Sequence, residues 1–208
     1  MVAGIEETPS KITVKLDPMW RSEDAYGNVV MAAKAVVRVV SPDHLIIQLL
    51  ERNQPEDNFR LLPSVQSTTT FAQSEFSVTL TRAVKKSFGI IVRRKSTNQI
   101  LIDTTRGPIT LSDQLVEITT TVPSKYVYGI GSEHRMSLTR SFNYAKSALY
   151  NRPGADGFHP FYMALEPDGG LAHGVFWDNP HPLEVQFSPG PALSFRQVHP
   201  ICLISYYQ

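Results

Sequence analysis

Short runs in which apolar and polar residues alternate, each closed by turn residues, recur from one end of the chain to the other. Ile12, Val14 and Leu16 alternate with polar neighbours, as do Phe76, Val78 and Leu80, and again Val116, Ile118, Thr120 and Val122. A period of two sets one face of an extended segment against a core and the other in water, so each run predicts a half-buried β-strand. Two hairpins follow from their turns. Phe88–Arg94 and Ile100–Thr104 flank Lys95-Ser96-Thr97-Asn98-Gln99, and Phe161–Leu165 and Leu171–Trp177 flank Glu166-Pro167-Asp168-Gly169-Gly170. Ser188-Pro189-Gly190-Pro191 separates Leu183–Phe187 from Ala192–Phe195, and prolines there force a turn.

Met31–Val40 is the ambiguous segment. Its alanines allow helix, but Val36, Val37, Val39 and Val40 are β-branched and Ser41-Pro42-Asp43 closes the run, which predicts a strand paired with Leu45–Glu51. Asn143–His159 is the longest stretch without a pattern and reads as a loop, a place where function or a partner is often found. Because each half-apolar sheet needs a facing layer, these elements predict an all-β, antiparallel two-sheet sandwich, with a closed barrel as the weaker alternative. At 208 residues, with no internal repeat, low-complexity tract or Gly/Ser linker, residues 1–208 read as one domain.

Composition narrows the function classes. Apolar residues at 42% and charged residues at 19% are globular values and exclude a disordered chain or a coiled coil. The net charge of +1 is scattered, without the basic stripe that would neutralise a phosphate backbone, so nucleic acid is not an expected partner. No segment reaches the roughly 18 to 20 apolar residues of a membrane span. Met1 precedes Val-Ala-Gly-Ile-Glu-Glu instead of a basic and then apolar leader, and no Asn-x-Ser/Thr sequon occurs, which leaves the compartment open. Cys202 stands alone, so it forms no internal disulfide and no multi-cysteine zinc site.

Site chemistry is sparse. His159, His173, His181 and His199 fall on different predicted elements and no His-Glu-x-x-His motif is present, so neither a metal nor a cofactor is expected. Gly129-Ile130-Gly131-Ser132 lacks the further glycine, lysine and helix of a phosphate loop and reads as a tight turn; a Gly-x-Ser-x-Gly elbow is also missing. Tyr126, Tyr128, Phe158, Phe161, Tyr162, Phe176 and Trp177 lie mostly at core spacing, which leaves the aromatics flanking the long loop as sugar-stacking candidates.

Three segments carry a family likeness: Phe88–Arg94 with Ile100–Thr105; Tyr128-Gly129-Ile130-Gly131-Ser132-Glu133-His134, which matches a Tyr-Gly-Leu-Gly-Glu-His signature with one residue inserted; and His159–Glu166 through Ala172–Phe176 to Pro191–Arg196. In order and spacing they resemble the amino-terminal β-sandwich domain of family 31 α-glucosidases of the lysosomal, sucrase-isomaltase and maltase-glucoamylase type, over about Thr81 to Arg196. The resemblance implies a galactose-mutarotase-like sandwich packed against a (β/α)8 barrel that supplies both carboxylates of a retaining glycosidase, held about 5 Å apart. The family's Trp-x-Asp-Met-Asn-Glu nucleophile motif is not in this sequence, and a barrel needs roughly 200 to 250 residues of its own. No catalytic residue is therefore assigned, and no hydrolysis is expected of the chain alone.

In the family an Asn-Arg-Asp triplet of this domain helps hold the sugar. The matching residues are Asn151 and Arg152, with Pro153 in place of the carboxylate acceptor, so an α-glucoside is the implied ligand and Asn151 and Arg152 its contacts. Glu133 and His134 read as part of a structural turn. After Arg196 the chain departs from the family pattern, and Ile201–Tyr207 is expected as a closing strand. A sandwich without its barrel exposes a partly apolar face, which implies self-association or a barrel-bearing protein partner. A freestanding α-glucoside-binding module is the alternative.

Overall fold

A computed structural model describes residues 2–18, 27–28, 30–56, 66–81, 88–130, 139–150, 159–167, 170–179, 181–197 and, as backbone, 202–207. The strands are β1 (Val2–Glu7), β2 (Lys11–Leu16), β3 (Ala33–Ser41), β4 (His44–Glu51), β5 (Phe76–Thr81), β6 (Gly89–Arg94), β7 (Ile100–Asp103), β8 (Thr110–Leu111) and β9 (Val116–Thr121). They continue as β10 (Val127–Gly129), β11 (Ala145–Leu149), β12 (Phe161–Leu165), β13 (Ala172–Trp177), β14 (Leu183–Ser188), β15 (Ala192–Gln197) and β16 (Cys202–Tyr207). Among the described residues the only helical element is a 3-10 turn, Thr104–Arg106, capped by the Asp103 carboxylate, which accepts from the Thr105 amide.

Two antiparallel sheets form. Sheet I runs in the order β1-β2-β3-β4-β16-β13-β12-β10 and sheet II in the order β11-β14-β15-β9-β7-β6-β5, with β8 added to β9. The two predicted hairpins are β6–β7 and β12–β13, and β3 pairs with β4 as expected. Asn98, in the left-handed region at φ 56°, turns the first of these. At the Pro189-Gly190-Pro191 turn the φ of 101° at Gly190 lets Ser188 pair with Ala192. The strand expected over Ile201–Tyr207 is β16, and it lies within sheet I, joining β4 to β13.

Inward positions of both sheets build one continuous core. Ala35, Val37 and Val39 of β3 and Leu45, Ile47 and Leu49 of β4 pack with Val116 and Ile118 of β9 and Val185 and Phe187 of β14 in a single buried cluster. An aromatic stack crosses it: Trp177 of sheet I lies 4.8 Å from Phe195 of sheet II at an interplanar angle of 15°, and Tyr162 stacks on the same ring at 6.2 Å. The Trp177 indole N–H donates to the buried Gln197 carbonyl oxygen, which removes the penalty of an unpaired donor.

Two departures from the pattern have physical causes. β3 and β4 read as nearly continuous apolar runs because their outer face is also covered, with Val40 and Ile46 forming a second, smaller buried cluster. The chain beyond β4 returns over that face: Lys34 Nζ donates to the Gln54 carbonyl at 2.7 Å and Gln48 Nε2 to the Glu56 carbonyl at 2.6 Å. The second departure is β11, an edge strand within the stretch read as loop. Its Ala-Lys-Ser-Ala-Leu sequence has little β propensity, and pairing with β14 together with burial of Ser147 and Leu149 supplies what propensity does not.

Candidate functional site

Asn151 and Arg152 lie outside the described residues, as do Pro153, Phe158 and the Glu133–His134 pair. Their flanks are described. The chain leaves β11 in sheet II at Leu149, buried to 1% exposure, and re-enters in β12 of sheet I through His159 and Pro160, so this connection carries it from one sheet to the other. Tyr144 and Tyr150, at the two ends of β11, are 64% and 41% exposed.

The outer faces of the two sheets differ in chemistry. On sheet I, Tyr128 stands opposite Met163 and Phe161 opposite Phe176, and direct partners in an antiparallel pair share a face. Phe161 and Met163 are each 39% exposed, and the Phe161 ring lies over the backbone at Gly174, where a Cβ would come within 2.7 Å of it. Tyr126, two residues before Tyr128, is half-exposed, with the Lys125 ammonium 5.6 Å from its ring centroid. On sheet II the same kind of surface carries alternating charge. Lys146, Glu184, Arg196 and Glu117 form a row across β11, β14, β15 and β9, with contacts of 3.2, 3.9 and 3.2 Å. Sheet II thus presents a charged, solvated face and sheet I, at β10–β12–β13, partly exposed apolar side chains.

Of the aromatics considered from sequence, Tyr162 and Trp177 are core, whereas Phe161, Phe176, Tyr126 and Tyr128 are not fully buried. Gly129 turns the chain at the end of β10. Its φ is 98°, and a Cβ there would stand 2.4 Å from the Phe161 carbonyl oxygen, which accepts from the Ile130 amide. Ile130 follows at φ 48°, an uncommon conformation for a β-branched residue, and the other half of the turn expected over Gly129–Ser132, Gly131 and Ser132, lies outside the described residues.

Between the sheets sits an ionic cluster that sequence reading passed over. Arg94 of β6 donates from Nε and Nη2 to the Glu166 carboxylate, at 2.9 and 2.6 Å, and from Nη2 to the Ala172 carbonyl at 3.1 Å. His173 Nδ1 lies 3.3 Å from Glu166 Oε1, and all three side chains are at most 1% exposed. Burial pushes the Glu166 carboxyl up, but hydrogen bonds from His173 and Arg94 and the guanidinium charge outweigh it and hold the pKa at about 2. Burial raises the Tyr162 phenol beside it as well. A parity signal was available: Arg94 continues the inward series Ile90, Val92, and Glu166 continues Tyr162, Ala164. Glu166 is neutralised and shut from solvent, so it can meet no substrate. Among the described residues no group of three or more His, Cys, Asp or Glu could hold a metal ion.

No protein-family model matches the chain. Lysosomal alpha-glucosidase of Bos taurus is 38% identical over 146 residues, which is 67% of this chain and 15% of the bovine protein. Human intestinal sucrase-isomaltase is 39% identical over 118 residues, 53% of this chain and 6% of the human protein. The chain is related to the family 31 α-glucosidases. It spans a small part of the length of these relatives. Solved family structures share its fold: a glucosidase II alpha subunit aligns with a TM-score of 0.68 over 98% of this chain and 31% of that one, and a Flavobacterium johnsoniae family 31 dextranase with 0.59 over 99% and 26%, each at 12% identity.

Proposed function

We propose that this chain acts as the non-catalytic β-sandwich domain of a family 31 α-glucosidase-type protein. Its role is domain packing or protein interaction through the outer face of sheet I, with a weak contact to an α-glucoside from Asn151 and Arg152. The observation that carries the reading is the contrast between the two outer faces: an apolar strip of Tyr128, Phe161, Met163 and Phe176 on sheet I, and a charged row on sheet II. Glu166, withdrawn into a buried ion pair, is not available as an acid or base. The second reading, a freestanding α-glucoside-binding module, is favoured by exposed Tyr144 and Tyr150 beside the loop of Asn151 and Arg152.

The test joins an assay with a chromogenic α-glucoside to a size-exclusion and light-scattering profile of the same sample. The expected result is no hydrolysis and concentration-dependent association that Met163→Lys and Phe161→Ser together abolish. Activity that survives repurification, or a monomer at every concentration, overturns the proposal. Saturable α-glucoside binding by such a monomer, lost in Asn151→Ala/Arg152→Ala, favours the second reading.

A further inference from the structure

Between the β1–β2 turn, the Thr70–Ala72 segment and the start of β5 lies a cleft of about 500 Å³. That volume falls within the roughly 300 to 1,000 Å³ of small-molecule sites. Its walls are tied together. The Phe71 amide donates to the Pro9 carbonyl at 2.8 Å, and Lys95 Nζ donates to the carbonyls of Phe71 and Ala72 at 2.6 and 3.2 Å. Ile12 and Phe76 give the lining an apolar base, and half-buried Phe71 adds an aromatic wall.

The polar groups left over define the ligand. Lys95 spends its ammonium on two carbonyls. Among the described residues neither the Glu7 carboxylate nor the Ser77 hydroxyl has a hydrogen-bond partner. Among the described residues that line it, the cleft therefore offers acceptors and no uncommitted cation, which disfavours a phosphate or carboxylate ligand. A ligand that fits has an apolar face for Phe71 and Ile12 and an edge of hydroxyl donors for Glu7 and Ser77. A neutral pyranose has that two-sided character.

We infer that this cleft binds one sugar ring of a neutral glycan, at a site separate from the Asn151–Arg152 loop. The inference does not rest on that loop's role. The test is a titration of the isotope-labelled full chain with maltose and with isomaltose, followed by amide chemical shifts, beside a titration with an apolar uncharged hexapeptide. Saturable shifts at Glu7–Ile12, Thr70–Ala72 and Ser77–Val78 are expected with a glycan and not with the peptide. Phe71→Ala is expected to weaken the affinity roughly tenfold. Glu7→Gln, at an exposed position, tests the same site should the first variant fail to fold, and a several-fold loss is expected; Asn151→Ala/Arg152→Ala leaves the cleft shifts unchanged. Shifts confined to residues flanking the Asn151–Arg152 loop, shifts given by the peptide alone, or no saturable shift with either sugar each overturn the inference.

Discussion

Replacing Arg94 by methionine leaves the Glu166 carboxylate buried with its main partner gone. Arg94 is fully buried and supplies two donors to Glu166 and one to the Ala172 carbonyl, so it clamps both strands of the β12–β13 hairpin from the opposite sheet. Removing one partner of such a pair costs about 3–5 kcal/mol because an uncompensated charge remains in the core, a large share of the roughly 5–15 kcal/mol that keeps a domain folded. The companion Arg94→Met/Glu166→Leu is expected to recover most of that loss, since a well-packed apolar pair replaces a buried ion pair at little net cost. Acid gives an independent measure. Glu166 has its pKa lowered from 4.5 to about 2, so the folded state binds its proton less readily than the unfolded chain. The resulting stabilisation is fully present above pH 4.5 and is lost as the pH falls toward 2; at about 1.4 kcal/mol per unit it amounts to about 3 kcal/mol. Urea unfolding, near neutrality and across that acid window, reads both effects. An Arg94→Met loss below about 1 kcal/mol, or a Glu166→Gln variant with the acid-side slope of the parent, would refute the reasoning.

Three further outcomes follow from the geometry. Gly129→Ala sets a Cβ 2.4 Å from the Phe161 carbonyl at a φ of 98° and is expected to lower stability by about 2–4 kcal/mol, whereas Gly190→Ala, at φ 101° with nothing within 4 Å, carries only the conformational penalty of about 1–2 kcal/mol; urea midpoints compare them. Phe195→Ala breaks the stack with both Trp177 and Tyr162 and is expected to cost about 3–5 kcal/mol in the same assay. Arg196→Ala removes contacts to Glu117 and Glu184 on a half-exposed surface, so its thermal shift is expected to correspond to less than about 1 kcal/mol and to shrink with added salt.

Strand identity was legible wherever the two faces of a strand meet different surroundings. In β2, β5 and β9 the apolar positions of the sequence are those turned toward the core, and the β6–β7 and β12–β13 hairpins fall where their turn residues place them. The same parity rule held the Arg94–Glu166 pair in plain sight, but a charge at an inward position has meaning only once its partner is known, and Glu166 lies 72 residues away. Asn151 and Arg152 came from likeness to a family motif and not from pattern.

By itself the sequence determined the all-β class, most strands and the main turns, because period-two patterning and turn chemistry are local properties of the chain, while the family relationship came from likeness of three motif segments. Tertiary structure decided what depends on distant segments. It made β11 a strand against weak propensity by pairing it with β14, and covered the outer face of β3–β4 with the chain that follows. It also set β16 between β4 and β13 and left the β12–β13 side of sheet I apolar toward solvent. Each of these turns on which surfaces lie against one another, and burial, unlike alternation, belongs to pairs of segments and not to any one of them.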